Sequence, residues 1–163
     1  MTDDAEALAA RLGAALKQRG WRIAVAESCT GGGIAHAITE VAGSSEWFDR
    51  GFVTYSNAAK VELLGVPQTT LDSVGAVSPE TALAMVAGAL NRSQADLAVA
   101  VTGIAGPGGG TPDKPVGLVY IALQSSDQPA CCQRQQFQGS RRDIRRQTVA
   151  FALQWALQTA APS

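Results

Sequence analysis

Apolar positions along this chain recur with two periods, one typical of helices and one typical of strands. Residues 5–19 carry leucines and alanines at helical spacing, whereas residues 22–26 and 96–102 are nearly continuous apolar runs. Such runs are typical of strands that are covered on both faces. Helical and strand patterns then take turns to the end of the chain. We therefore predict an α/β fold, a three-layer α/β/α sandwich with a mixed, mostly parallel central sheet.

Cap residues set the bounds of several further elements. Ser56 and Ser78 are typical helix N-caps, and Pro79 suits the first turn of the helix that follows. The glycine-rich segment 103–115 is predicted to be a loop. The remaining predicted helices span 30–39, 56–64, 78–91 and 140–160, and the remaining predicted strands span 51–55, 116–123 and 130–137, the last two antiparallel.

Composition limits the class of protein. With 163 residues, 46% of them hydrophobic, the chain suits a single domain over 1–163 with its own core. No segment approaches the roughly 20 apolar residues of a membrane span, and the acidic N-terminus differs from a signal peptide. A formal net charge of -1 provides no field that would attract nucleic acid or an anionic membrane. We expect a cytoplasmic protein with neither of these partners.

Scarce histidine and cysteine exclude several kinds of site. His36 is the only histidine, which excludes a clustered histidine metal site and argues against a Ser-His-Asp triad. The three cysteines, Cys29, Cys131 and Cys132, are an odd number and indicate reduced thiols. A serine nucleophile would then need a lysine, a carboxylate or a tyrosine as its base.

The segment AESCTGGG, residues 26–33, joins a predicted strand to a predicted helix and offers two nucleophiles. Ser28 and Cys29 are consecutive, so only one of them can face a cleft. A thiol near a helix N-terminus can have a lowered pKa, but we expect Cys29 to be packed in the interior. Ser28 is therefore the preferred nucleophile.

Three glycines in this segment require an explanation, because each costs a helix interior up to about 1 kcal/mol relative to alanine. We interpret Thr30, Gly31 and Gly32 as a set of exposed N–H groups that hold a phosphate or a developing oxyanion. Close packing on a neighbouring helix remains the alternative for each glycine, and it is our expectation for Gly33.

Lys60 is the best-placed candidate base. It lies one turn into the helix that follows Tyr55, and the four-residue step brings it beside Leu64. An apolar neighbourhood lowers the pKa of a lysine, although a solvated helix lysine remains open. Tyr55 either relays a proton or closes the core.

If the strands at 22–26 and 96–102 are parallel neighbours, Thr102 and Gly103 leave the sheet at the same edge as Ser28.

Several long motifs together resemble one family. AESCTGG, GSSEWFDRGFVTYSNAAKVELLGV, GAVS, TGIAGPGGGTPDKPVGLVY and a closing RRQ occur in this order and are similar to the CinA carboxy-terminal domain family, whose stand-alone members are nicotinamide-nucleotide amidohydrolases. The resemblance spans nearly the whole chain. It implies hydrolysis of the carboxamide of nicotinamide mononucleotide to nicotinate mononucleotide and ammonia, in pyridine nucleotide salvage, with no metal and no cofactor.

Residue roles follow from the same resemblance. Carried over by motif, Ser28 is the nucleophile, Lys60 the base and Tyr55 an assisting hydroxyl. The substrate phosphate needs cations, and among the clustered arginines we favour Arg142 and Arg145, with a solvated basic face as the alternative for each. We expect the chain to be the amidohydrolase part alone, and a homodimer is expected of such a family.

Two other functions stay open. One is a non-catalytic nucleotide- or partner-binding module linked to competence or DNA damage, as the family name indicates. The other is a hydrolase of a different amide that uses Cys29. The combination of Ser28, Tyr55 and Lys60 favours an enzyme, because a pure binding module would not need all three.

Overall fold

The computed structural model describes residues 5–162, so the acidic residues 1–4 and Ser163 lie outside the described residues. The strands are β1 (Ile23–Glu27), β2 (Phe48–Val53), β3 (Leu97–Gly103), β4 (Leu118–Ser125) and β5 (Gln128–Gln136). The helices are α1 (Ala5–Arg19), α2 (Gly33–Thr39), α3 (Asn57–Leu64), α4 (Gln68–Val74), α5 (Pro79–Asn91) and α6 (Arg141–Ala160). A short 3-10 turn, Ser44–Glu46, precedes β2.

The strands form one mixed sheet in the order β2-β1-β3-β4-β5. β1 is parallel to both β2 and β3, whereas β4 is antiparallel to β3 and β5 is antiparallel to β4. β1 and β3 are parallel neighbours, which was the condition for Thr102 and Gly103 to leave the sheet at the same edge as Ser28. Glu27 lies opposite Val101, so Ser28 and Thr102 leave the sheet at one edge.

Two apolar layers cover the sheet, which confirms the three-layer prediction. One layer packs α1, α2 and α6 against one face, and the other packs α3, α4 and α5 against the opposite face. The central strands supply both layers by alternation, since Val25 and Val99 face the first and Ala26 and Ala100 face the second. Because of this layering, α2 and α6 approach the sheet edge at Ser28 from one face, and α3 and α5 approach it from the other.

Several predicted elements differ from the structure, and β4, for example, occupies Leu118–Ser125 instead of 116–123. α2 begins at Gly33 instead of residue 30, because Gly31 (φ +59°) and Gly32 (φ +101°) adopt left-handed conformations that cannot start a right-handed helix. β2 occupies Phe48–Val53 instead of 51–55. The prediction also omitted α4, whose N-cap Pro67 accepts no side-chain capping bond and offers no cap signal.

Serine caps hold two helices next to the site as predicted. Ser56 Oγ accepts a hydrogen bond from Ala59 N at 3.0 Å, and Ser78 Oγ accepts one from Thr81 N at 3.1 Å. None of the helices within residues 5–162 combines the length and apolarity needed to cross a bilayer.

Candidate active site

A cavity of about 280 Å³ opens at the sheet edge where β1 and β3 end. The turn after β1, the start of α3, the segment before α5, the loop after β3 and the first residue of α6 surround it. The lining residues are Ser28, Cys29, Tyr55, Asn57, Lys60, Ala76, Val77, Thr102, Gly103, Ile104, Ala105, Gly106, Gly108, Gly109 and Arg141. Six of the residues singled out from the sequence lie here: Ser28, Cys29, Tyr55, Lys60, Thr102 and Gly103.

Lys60 is buried, with 1% of its surface exposed, so it is not a solvated helix lysine. Its Nζ donates a hydrogen bond to the main-chain oxygen of Tyr55 at 3.3 Å. Among the residues that the structure describes, no carboxylate forms an ion pair with Lys60. Burial lowers the pKa of Lys60 below its usual range, and the nearby Cys29 opposes this shift in part.

Tyr55 is exposed at the mouth of the cavity, with 60% of its surface accessible. Its hydroxyl oxygen accepts a hydrogen bond from Arg141 Nη2 at 3.0 Å. Arg141 Nη1 donates to Gly106 O at 2.7 Å. The guanidinium of Arg141 therefore connects Tyr55 to the glycine-rich loop and brings a positive charge to the cavity.

Cys29 also lines the cavity, but its surroundings do not favour a thiolate. Burial raises the pKa of the Cys29 thiol to about 11, and the charge of Glu27 adds to this effect. At neutral pH the group is therefore an uncharged thiol, which is a weak nucleophile. This observation favours Ser28 over Cys29.

The turn that follows Ser28 carries its own anion. The carboxylate of Glu27 is completely buried and accepts hydrogen bonds from the Thr30 hydroxyl and from the N–H groups of Gly32, Ile34 and Ala35. Gly31 N–H donates to Ser28 O at 3.1 Å. We expected the N–H groups of Gly31 and Gly32 to bind the substrate, but both already donate hydrogen bonds within the protein, to Ser28 O and to Glu27.

The predicted arginines lie outside the cavity lining. Arg145 donates from Nε to Cys29 O at 3.1 Å and from Nη2 to Thr30 O at 3.2 Å. Arg142 is exposed on α6. Thr30, Gly31 and Gly32 are also absent from the cavity lining. A Cβ on Gly33 would lie 3.1 Å from Val149 Cγ2, so Gly33 lets α2 pack closely on α6.

His36 lies away from the cavity, on the outer face of α2. Its side chain is 77% exposed and faces Glu40 across 3.8 Å. Within residues 5–162, no group of three or more histidine, cysteine, aspartate or glutamate side chains is arranged to hold a metal ion. Cys29, Cys131 and Cys132 are free thiols.

Sequence reasoning missed Glu27 and Asn57, and among the clustered arginines it ranked Arg141 below Arg142 and Arg145. A signal for Arg141 existed, since Ser140 and Asp143 form a capping box that makes Arg141 the first residue of α6. The side chain of a first-turn residue can reach a cleft that lies beyond the helix end. For Glu27, the signal was a charged residue at the end of an otherwise apolar strand, directly before three glycines.

Fold and site together define a three-layer α/β protein with a serine and a buried lysine in one cleft, and the comparisons give its family. The model of the CinA C-terminal domain matches residues 5–160. The chain belongs to this family, which confirms the resemblance found in the sequence.

Relatives of known name are closely similar. Nicotinamide-nucleotide amidohydrolase PncC of Enterobacter agglomerans is 55% identical over 150 residues, which cover 92% of each chain. The PncC protein of Pseudomonas putida is 53% identical over 156 residues, which cover 96% of this chain and 97% of the relative. The crystal structure of the competence/damage inducible protein CihA from Agrobacterium tumefaciens matches with a TM-score of 0.93 at 50% identity, over 97% of this chain and 98% of that one.

Proposed function

We propose that this chain hydrolyses the carboxamide of nicotinamide mononucleotide to nicotinate mononucleotide and ammonia, with Ser28 as nucleophile and Lys60 as base. The observation that carries the proposal is a buried lysine, without a carboxylate partner among residues 5–162, in the same cavity as a serine at a strand end. The names of the relatives support the amidohydrolase activity and the nicotinamide nucleotide as substrate.

The proposed reaction has two stages. Lys60 Nζ, as a neutral amine, turns from Tyr55 O and takes the proton of Ser28 Oγ, which bonds to the carboxamide carbon. The C–N bond breaks as Lys60 returns the proton to the leaving nitrogen, which departs as ammonia. Water then loses a proton to Lys60 and attacks the nicotinoyl ester, and Lys60 passes this proton to the departing Ser28 Oγ, which releases the acid and restores both Ser28 and the neutral amine. Tyr55 assists as a hydroxyl at the cavity mouth.

Main-chain amides supply the oxyanion site in this proposal. Within the described chain, the N–H groups of Cys29 and Thr30 donate to no other residue, whereas those of Gly31 and Gly32 are occupied. A well-placed donor to an oxyanion contributes roughly 3 kcal/mol to the stability of the transition state. We therefore assign this role to the N–H group of Cys29, which directly follows Ser28 and lines the cavity.

Arg141 is the cation that we propose for the substrate phosphate. Its guanidinium lines the cavity, and both of its present acceptors, Gly106 O and Tyr55 OH, are uncharged. A phosphate oxygen would accept stronger, charge-assisted hydrogen bonds from the same nitrogens. Arg145 is already committed to Cys29 O and Thr30 O, so it is less available.

Ammonia release from nicotinamide mononucleotide tests the proposal. Wild-type protein should release ammonia, and Ser28→Ala and Lys60→Met should each lose at least about 100-fold in kcat. Cys29→Ala is the matched control for the nucleophile, and Lys17→Met, a lysine on the outer face of α1, is the matched control for the base. Both controls should keep wild-type rates.

Each alternative function predicts a different result. Binding of nicotinamide mononucleotide without ammonia release by wild-type protein would indicate a binding module. Loss of activity in Cys29→Ala with unchanged turnover in Ser28→Ala would overturn the serine assignment. Faster ammonia release from another amide than from nicotinamide mononucleotide would indicate that this other amide is the substrate.

The remaining expectations belong to the same proposal. We propose that residues 1–163 act as one cytoplasmic catalytic domain, with the nucleotide as its partner and without nucleic acid or membrane. The net charge of -1 supports the absence of a nucleic-acid partner. The expected homodimer can be checked by light scattering during gel filtration.

A further inference from the structure

Glu27 is a buried acid that the proposed chemistry does not use. Strand alternation directs its side chain to the same face of the sheet as Val25, where α2 packs. A buried carboxylate is costly unless it is fully hydrogen-bonded. Here the cost is offset because Oε1 accepts from the Thr30 hydroxyl, Gly32 N and Ile34 N, and Oε2 accepts from Ala35 N at 2.9 Å.

Arg145 binds main-chain carbonyl oxygens of the same turn, whereas Glu27 binds its N–H groups. Its guanidinium reaches from α6 to the carbonyl oxygens of Cys29 and Thr30, 116 and 115 residues away in sequence. The N–H groups of Gly32, Ile34 and Ala35 are thus held by an anion, and the C=O groups of Cys29 and Thr30 by a cation. α2 itself has only seven residues, so it cannot hold the turn by its own helical stability.

We propose that Glu27 and Arg145 are positioning residues that hold Ser28 in its reactive geometry by binding the two sides of the turn at residues 28–35. This inference rests on the proposed function of Ser28. Ser28 is covalently attached to Glu27 and to Cys29, whose oxygen Arg145 holds, so a displacement of either contact moves Oγ. A misplacement of about 1 Å in a reacting group can cost about 100-fold in rate.

The variant Glu27→Gln tests the role of the Glu27 carboxylate with little change in side-chain shape. Glu27→Gln keeps the side-chain length but replaces one acceptor oxygen with an NH₂ group that faces an N–H donor. We expect kcat for ammonia release from nicotinamide mononucleotide to fall about 100-fold while KM stays within about twofold, because the cavity residues that bind substrate are unchanged. Arg145→Met should lower kcat about tenfold with the same KM.

A double variant separates positioning from general destabilisation. Because both residues hold one turn, Glu27→Gln with Arg145→Met should be no slower than Glu27→Gln alone, whereas independent effects would multiply. The matched controls are Glu40→Gln at the C-cap of α2 and Arg146→Met on α6, both exposed. They should keep wild-type kcat. Arg145→Lys should recover part of the rate lost in Arg145→Met.

The outcomes decide between this inference and the proposed function. Wild-type kcat in Glu27→Gln, multiplied losses in the double variant, or a loss that only follows the unfolded fraction in thermal melts overturns the positioning role. If Glu27→Gln does not fold, Arg145→Met decides alone: a lower kcat with unchanged KM and melting temperature supports the role, and an unchanged kcat overturns it. Ammonia release by Ser28→Ala instead contradicts the proposed function.

Discussion

Lys60 Nζ lies 3.3 Å from the main-chain oxygen of Tyr55 and donates a hydrogen bond to it. The donor lies in the first turn of α3, and the acceptor residue directly precedes Ser56, the N-cap of that helix. A neutral carbonyl compensates a buried ammonium far less than a carboxylate would. The geometry therefore favours the uncharged amine, which is the form that a general base requires.

Replacement of Lys60 by methionine should separate stability from activity. We expect Lys60→Met to be more stable than wild type at pH 7, because a buried group that prefers to ionise is replaced by an apolar one of similar length. Each 1 kcal/mol gained raises the melting temperature by about 2–4 °C. Thermal melts beside ammonia assays check this, and a lower melting temperature would contradict it.

The pH dependence of stability should report the lowered pKa of Lys60. In the unfolded chain the lysine keeps its proton up to about pH 10.5, its ordinary pKa, and in the folded protein it loses the proton at lower pH. Between these two values the unfolded state binds more protons, so the free energy of unfolding rises with pH. Urea titrations of wild type and Lys60→Met should diverge in this interval, and parallel curves would contradict the lowered pKa.

Arg141 should contribute to binding of the phosphate. We expect Arg141→Met to raise KM for nicotinamide mononucleotide at least about tenfold, the usual effect of removing a charge-assisted hydrogen bond. The rate with nicotinamide riboside, which has no phosphate, should change much less. A KM increase in Arg142→Met with none in Arg141→Met would contradict this assignment and favour Arg142, one of the two arginines predicted from the sequence.

Gly32 should tolerate a side chain poorly because of its backbone conformation. At φ +101° an alanine costs about 1–2 kcal/mol, although the nearest atom to an added Cβ, Val53 Cγ2, is 3.7 Å away. Gly20→Ala is a matched control, with φ +70° and open space around the Cβ. Urea unfolding should show similar losses for both, and ammonia assays should show reduced kcat only for Gly32→Ala. Equal activity of the two variants would contradict a role for this turn.

Cys29 should resist alkylation at neutral pH. Its pKa of about 11 keeps it protonated, and it is buried. Cys131 is exposed and should react first. We expect iodoacetamide at pH 7.5 to modify Cys131 while ammonia release continues, as mass spectrometry of the modified protein can verify. A Cys131→Ser variant provides the control. Inactivation that tracks modification of Cys29 in this variant would contradict the assignment of an inert thiol.

Local patterns were sufficient for much of the fold. The continuous apolar runs of β1 and β3 and the serine caps of α3 and α5 depend on neighbouring residues in sequence, so they could be predicted. Short elements with weak signals could not. α4 has no capping side chain, and the start of α2 depends on two glycine conformations that composition alone does not specify.

The sequence by itself determined the layers, and Ser28 and Lys60 as candidate chemistry, because burial periodicity and helix caps are local. The tertiary structure alone decided that Lys60 is buried, that Arg141 reaches the cavity, and that Glu27 and Arg145 hold the Ser28 turn. These properties depend on which distant elements meet. The hydrogen bonds of Arg145 to Cys29 and Thr30, for example, span 116 and 115 residues of sequence, and no periodicity encodes such a contact.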